Sequence, residues 1–236
     1  MKRNLLKIIE LIFVNLITMT RLLGAFVLPF IYIYKGPSIS SIVILILFLT
    51  DAIDGFLART FKISTFLGSM LDAISDKLLN TVSFILLGLT YKIMIPPLIL
   101  EISILLISYS TYRYGGNVQS SRVGKIKTII LDICVIFSFV LISLNAFNTN
   151  NHIINYFINN VATYINIFGS IISISCIIAL LDYTKKYKKV RNNPKNKKIS
   201  FKGRTRKKFK EVIKDGVDTN YYTIHKDESI LEQFYK

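Results

Sequence analysis

The chain has 236 residues, 52% of them apolar and 19% charged, with a formal net charge of +16. Its apolar residues occur in runs of about twenty, the length at which a helix spans a hydrocarbon core roughly 30 Å thick. This distribution excludes a soluble globular domain, and two cysteines within apolar runs, Cys134 and Cys176, provide no disulfide framework. The composition predicts an all-α, polytopic membrane protein.

The N-terminal residues 1–13 interleave apolar and charged side chains, which predicts an amphipathic helix on the membrane surface. A positively charged flank of the first span is the alternative interpretation. A cleaved signal peptide is disfavoured, because the apolar stretch is too long and no small-residue cleavage pattern follows it.

Six apolar runs follow, and they predict six transmembrane helices within a domain of residues 14–185. A basic, polar tail is predicted for residues 186–236, because Asn192-Asn193-Pro194 should break any helix that continues past the last span. The approximate bounds of the six runs are 14–34, 39–57, 71–91, 95–112, 126–147 and 156–181.

The clusters of basic residues all fall on one side of this layout. Both termini and the connections after the second and fourth spans are basic, so the positive-inside rule places them in the cytoplasm. The segment Lys185–Lys210 alone carries 14 Lys or Arg residues and no acid. We interpret it as a topology signal and a contact for anionic lipid head groups, and not as a nucleic-acid site.

Four aspartates lie at the ends of the second and third predicted spans. Asp51 and Asp54 are three residues apart, and Asp72 and Asp76 are four apart, so each pair shares one helical face. The connection is short, so the two helices should be antiparallel neighbours whose carboxylates share a cytoplasm-facing pocket. Hard oxygen ligands of this kind suit Mg²⁺ or Mn²⁺.

The residues around these acids are also suited to a ligand. Arg59 either pairs with a neighbouring aspartate or clamps a phosphate through its guanidinium. The small residues Gly55, Ala58 and Gly68 allow a ligand or a second backbone to approach closely.

The same residues form the pattern D-x2-D-G-x2-A-R-x8-G-x3-D-x3-D. This pattern resembles the signature of the CDP-alcohol phosphatidyltransferases. The six-span layout extends the resemblance over residues 1–185. The eight fixed positions are Asp51, Asp54, Gly55, Ala58, Arg59, Gly68, Asp72 and Asp76.

The resemblance implies transfer of a phosphatidyl group from CDP-diacylglycerol to a small alcohol, with release of CMP. It implies two divalent cations, Mg²⁺ or Mn²⁺, held by Asp51, Asp54 and Asp72 with a contribution from Asp76. Asp76 would also be the catalytic general base, and a fourth metal ligand with no proton-transfer role is the alternative.

The resemblance also implies a site for the CDP-lipid. Near the first span, Asn15, Thr18 and Arg21 are similar to the N-x-x-T-x-x-R segment of the family. On the sequence alone, Asn15 and Thr18 equally suit a cap at the start of the first helix. The full set of implied donor contacts is Asn15, Thr18, Arg21, Gly55, Ala58, Arg59, Thr65 and Gly68.

The acceptor is less clearly encoded. Residues 124–128 read G-K-I-K-T, which resembles the G-K-x-K-T segment of phosphatidylglycerophosphate synthases and favours glycerol 3-phosphate. We expect Lys125 and Lys127, with Arg113 and Arg122, to bind the acceptor, whereas an ordinary positive-inside flank is the alternative for the lysines. The arginine that this subfamily carries early in its fourth span is absent, since residues 100–102 read L-E-I.

Several alternatives remain at this stage. Glu101 and Asp132, both within predicted spans, either line the pocket or pair across helices. An inositol-type alcohol and phosphatidylglycerol are the alternative acceptors. A divalent-cation transporter is disfavoured because the acids gather at one edge and do not follow a path across the bilayer, and an inactive scaffold has no feature in its favour. The resemblance suggests a homodimer, and we expect a bacterial cell membrane location.

Overall fold

The computed structural model describes residues 2–61, 65–114, 121–144, 152–193 and 205–224. The described chain is almost entirely helical, with one short 3-10 turn at Lys92–Met94. Its helices are α1 (Lys2–Phe61), α2 (Phe66–Thr90), α3 (Ile95–Arg113), α4 (Arg122–Leu144), α5 (His152–Asn159), α6 (Val161–Arg191), α7 (Phe209–Val217) and α8 (Thr219–Ile224).

Helix α1 breaks at Gly36, which adopts φ 80° and ψ 177° and divides α1 into two helical segments. A side chain at this position would be strained, because L-residues rarely adopt a positive φ. Pro37 follows directly, and proline is well tolerated in the first turn of a helix since that turn has no intrahelical acceptor for its N–H. A new helical segment can therefore begin immediately after the break.

Five helices of the described chain are long and apolar enough to cross a membrane. The first, at 37 residues, would extend about 55 Å if it were continuous, nearly twice the hydrocarbon thickness. Gly36 lies between the two spans predicted for this region. The five candidate spans are Asn15–Asp51, Leu67–Thr90, Lys92–Arg113, Arg122–Leu144 and Val161–Arg191.

The bounds differ from the sequence prediction at both ends. Helix α1 begins at Lys2 and is helical up to Gly36, so the segment expected to form a surface helix is continuous with the first candidate span, and its placement on the membrane surface stays a prediction. The last long helix begins at Val161, later than expected, and α5 precedes it. It ends at Arg191 with Asn192 as its C-cap, so the predicted helix break at the asparagine pair is confirmed.

The chain divides into two compact units. The first unit contains residues 1–25, 47–79 and 199–236, and the second contains 26–46 and 80–198. In the second unit, α3 and α4 both pack against α6, and the ring of Tyr32 meets that of Phe139 edge-on. Its buried apolar residues include Leu87, Met94, Leu131, Phe139, Ile165 and Ile172.

Candidate functional site

Three of the predicted carboxylates meet in the first unit. Asp51 lies in the second segment of α1, whereas Asp72 and Asp76 lie one turn apart on α2. One oxygen from each carboxylate falls within 4.8 Å of the others. Each side chain is about half-buried, so the cluster is open to solvent on one side.

Arg21 lies at the centre of this cluster and is completely buried. Its Nη1 donates to Asp51 and lies 3.4 Å from Oδ1 of Asp76, while its Nη2 donates to Oδ1 of Asp72 at 2.5 Å. A planar guanidinium has five donors in a rigid fork, which is why one side chain can join three carboxylates.

Ser75 completes the cluster, although no sequence pattern pointed to it. Its hydroxyl accepts a hydrogen bond from Nε of Arg21 at 3.0 Å and donates to the backbone carbonyl of Asp72 at 2.9 Å. Ser75 is fully buried, and its hydrogen bond with Arg21 holds the guanidinium against α2. A serine inside the spacer between Asp72 and Asp76 resembles any other small residue of a helix.

The donor set of this cluster fits a divalent cation. Three carboxylates face the single guanidinium of Arg21, and carboxylate oxygens are the ligands that Mg²⁺ and Mn²⁺ prefer. Four further predicted site residues also lie in α1, but the structure describes only their backbone and not their side chains. They are Asp54, Gly55, Ala58 and Arg59.

Thr65, Gly68 and Asn15 form a second group in the same unit. Thr65 is the N-cap of α2, because its hydroxyl accepts a hydrogen bond from the backbone N–H of Gly68 at 3.1 Å. A Cβ at Gly68 would lie 2.9 Å from both Oδ1 of Asn15 and Oγ1 of Thr65, so a larger residue there would have to displace these polar side chains. The signature glycine thus keeps two predicted nucleotide contacts close together.

The capping role considered for Asn15 and Thr18 is wrong. Helix α1 begins at Lys2, so both residues lie well inside it and not at its start. Thr18 is buried, and Asn15 is in contact range of the start of α2. The contact of either residue with the donor stays a prediction.

The four residues predicted to bind the acceptor belong to the second unit. Arg113 is the last residue of α3, and Arg122 is the first residue of α4. Lys125 is exposed on α4, whereas Lys127, two residues later, is buried.

Lys127 forms a buried ion pair with Glu101, which joins α4 to α3. Cys176 on α6 also lies against this carboxylate, with its Sγ 3.6 Å from Oε1. Asp132 behaves similarly, since its Oδ1 accepts a hydrogen bond from Nδ2 of Asn80 at 3.3 Å. Both of these intramembrane acids therefore pair across helices, which is one of the two roles that the sequence allowed for them.

Arg21→Gln should destabilise the protein in the absence of divalent cations, because three carboxylates would lose their common counter-ion. Hydrogen bonds to charged groups contribute about 1.5–3 kcal/mol each, and solvent screening of the half-exposed acids lowers the total to about 2 kcal/mol. Thermal unfolding in EDTA measures the loss, with the exposed Arg122→Gln as the control. Equal melting temperatures for the two variants would show that Arg21 carries no net stabilisation.

Comparison with known proteins identifies the family to which this arrangement of residues belongs. Residues 11–181 match the family model described as CDP-alcohol phosphatidyltransferase. Within curated proteins, 100 residues are 34% identical to a cardiolipin synthase (CMP-forming)/mitochondrial hydrolase fusion protein of Schizosaccharomyces pombe, covering 42% of this chain and 17% of that protein.

A bacterial relative gives a second match. Over 112 residues the chain is 32% identical to a CDP-diacylglycerol–glycerol-3-phosphate 3-phosphatidyltransferase of Yersinia pestis, covering 44% of this chain and 60% of that protein. The matched segments thus span less than two thirds of either relative. The family match, by contrast, covers most of the chain, including the carboxylate cluster and nearly all of the five candidate spans. This integral membrane protein belongs to the CDP-alcohol phosphatidyltransferase family.

Proposed function

We propose that this chain transfers a phosphatidyl group from CDP-diacylglycerol to glycerol 3-phosphate and releases CMP. The observation that carries the proposal is the convergence of Asp51, Asp72 and Asp76 in a member of this family. A cluster of hard oxygen donors beside a buried arginine is suited to a substrate that carries a diphosphate.

In this proposal Asp51, Asp54 and Asp72, with Asp76, hold two Mg²⁺ or Mn²⁺ ions. Bound divalent cations would neutralise the diphosphate and stabilise charge on the leaving oxygen. Arg21 then acts beside them as a fixed cation, and its burial keeps the guanidinium in one orientation. Asn15, Thr65 and Gly68 bind the nucleotide part of the donor.

Asp76 accepts the proton of the acceptor hydroxyl. The freed oxygen forms a bond to the phosphorus that bears diacylglycerol, and the bond from this phosphorus to the CMP oxygen breaks. CMP leaves with the electron pair of that bond. A positioned base makes the hydroxyl more nucleophilic at the moment of attack.

The acceptor assignment rests on charge. Lys125 is exposed and can receive a phosphate, with help from Arg113 and Arg122, whereas the positive charge of Lys127 is balanced by Glu101. The name of the bacterial relative supports glycerol 3-phosphate. The match to a protein named as a CMP-forming cardiolipin synthase supports phosphatidylglycerol as the second candidate.

The proposal includes six membrane spans, with Gly36 dividing the first two, and cytoplasmic placement of both termini and the active site. The length of Asn15–Asp51 supports the division, and the distribution of Lys and Arg supports the orientation. A homodimer in a bacterial cell membrane completes the proposal, on the family resemblance.

The test is CMP release by the purified, reconstituted protein with CDP-diacylglycerol and a panel of alcohols. We expect glycerol 3-phosphate to give the highest rate, EDTA to abolish it, and added Mn²⁺ or Mg²⁺ to restore it. No CMP with any alcohol would contradict the transferase assignment. A preference for phosphatidylglycerol would retain the chemistry and change the acceptor.

A further inference from the structure

Helix α7 (Phe209–Val217) lies beyond residues 11–181, the part of the chain that the family match covers. Family membership therefore assigns it no role. It follows the strongly basic segment after α6, and it belongs to the same compact unit as the carboxylate cluster. Its contact with α2 and the residues on its exposed face together indicate what this helix binds.

Helix α7 rests on the first turn of α2. A Cβ at Gly216 would lie only 2.6 Å from Cγ of Leu67, so the missing side chain lets the two helices touch. Leu67 is the first residue of the candidate span Leu67–Thr90. A helix in contact with the first residue of a span lies where the hydrocarbon core ends and the head groups begin.

The segment around α7 is held together by Lys207. Its Nζ donates to Oδ2 of Asp215 at 2.7 Å and to the hydroxyl of Tyr221 at 3.1 Å, and it lies 5.0 Å from the centroid of the Tyr221 ring. Burial alone would lower the pKa of Lys207, yet these contacts raise it above its ordinary value. The lysine stays charged and links the residues before, within and after α7.

The outward face of α7 combines lysines and apolar side chains. Lys210, Ile213, Lys214 and Val217 follow the spacing of one helical face, and all four are exposed. Ile213 is 42% exposed and Val217 is 41% exposed, whereas Gly216, on the side that meets α2, is buried. Exposed apolar residues flanked by lysines are typical of a helix that lies in the plane of a membrane interface.

We propose that this face of α7 binds the surface of an anionic bilayer. Ile213 and Val217 enter the boundary between head groups and acyl chains, and Lys210 and Lys214 contact lipid phosphates. The contact with Leu67 sets the depth at which this can occur, and the lysines provide the charge that complements an anionic leaflet. The inference depends on the membrane location and not on the reaction proposed above.

A tryptophan probe tests the proposal, because the sequence contains no tryptophan. The full chain carrying Ile213→Trp is reconstituted into vesicles of phosphatidylcholine and an anionic lipid, with bromine on the acyl chains. We expect blue-shifted emission that the brominated lipid quenches strongly. Val217→Trp provides a second position on the same face, and Thr205→Trp provides an exposed position outside α7 that should be quenched much less.

Two further measurements separate the contribution of the two lysines from that of the contact between α7 and Leu67. Lys210→Gln with Lys214→Gln, or vesicles without anionic lipid, should reduce quenching at position 213, because the electrostatic attraction is lost. Gly216→Leu should also reduce it by pushing α7 away from Leu67.

Absence of quenching at positions 213 and 217 would overturn the proposal, including the case of blue-shifted emission without quenching, which would indicate a protein partner on this face. Equal quenching at position 205 would overturn the assignment to one face of α7. Quenching that is the same without anionic lipid would overturn the role of the lysines.

Discussion

Asp76→Asn should lower the rate of CMP release by about a thousandfold, the typical contribution of a positioned general base. An amide at this position cannot accept the proton of the acceptor hydroxyl, while it still fits the space on α2 beside Arg21. Binding of CDP-diacylglycerol should change little, because the other acids and Arg21 remain. Single-turnover rates and donor binding, measured on the same preparation, separate the two effects.

The matched control for this variant is Asp132→Asn. Asp132 also lies in a long apolar helix, but its carboxylate accepts a hydrogen bond from Asn80, and an amide oxygen can accept the same bond. We expect nearly normal turnover for the control. If a large excess of Mn²⁺ restores Asp76→Asn to normal turnover, Asp76 is a metal ligand only, and undiminished turnover would remove it from the mechanism altogether.

Glu101→Gln should destabilise the protein by about 3–5 kcal/mol, since removing one partner leaves the buried ammonium of Lys127 uncompensated. Glutamine keeps an oxygen that can accept the hydrogen bond from Cys176, so the loss reports mainly on charge. Adding Lys127→Met should recover most of the stability, because a buried ion pair replaced by uncharged side chains of similar size is often neutral. Unfolding in detergent measures all four corners of this double-mutant cycle.

Lys125→Met is the control for that cycle, because Lys125 is the exposed lysine two residues away on α4. We expect its effect on stability to stay within about 0.5 kcal/mol, as for most surface substitutions. If the double variant is as unstable as the sum of the single variants, Glu101 and Lys127 do not interact energetically. Each side chain would then contribute through its own surroundings.

Local periodicity was sufficient for much of the fold. The long apolar runs predicted the candidate spans, and the observed bounds of α3, Ile95–Arg113, differ by one residue from the predicted 95–112. The spacing of Asp72 and Asp76 also placed both carboxylates on one face of α2 without any knowledge of its neighbours. These features depend on residues within a few turns of one another, and such short separations can be read directly from the chain.

Charge pattern alone was less reliable at the ends of elements. Lysines and a glutamate among apolar residues predicted a surface helix at residues 1–13, and the backbone is helical without a break from Lys2 into the first candidate span. Amphipathicity indicates which face of a helix prefers water, but it does not say where the helix ends. That boundary requires a residue that breaks the backbone geometry, as Gly36 does within α1.

The sequence by itself thus determined that the chain crosses a membrane, and that it carries carboxylates on the faces of two helices near their ends. Only the tertiary structure decided what these groups contact: Arg21 joins acids 30 to 55 residues away, and Glu101 pairs with Lys127. Helical periodicity specifies which residues share a face. Which faces then meet depends on packing between distant segments, and these contacts cannot be read from the spacing of residues along the chain.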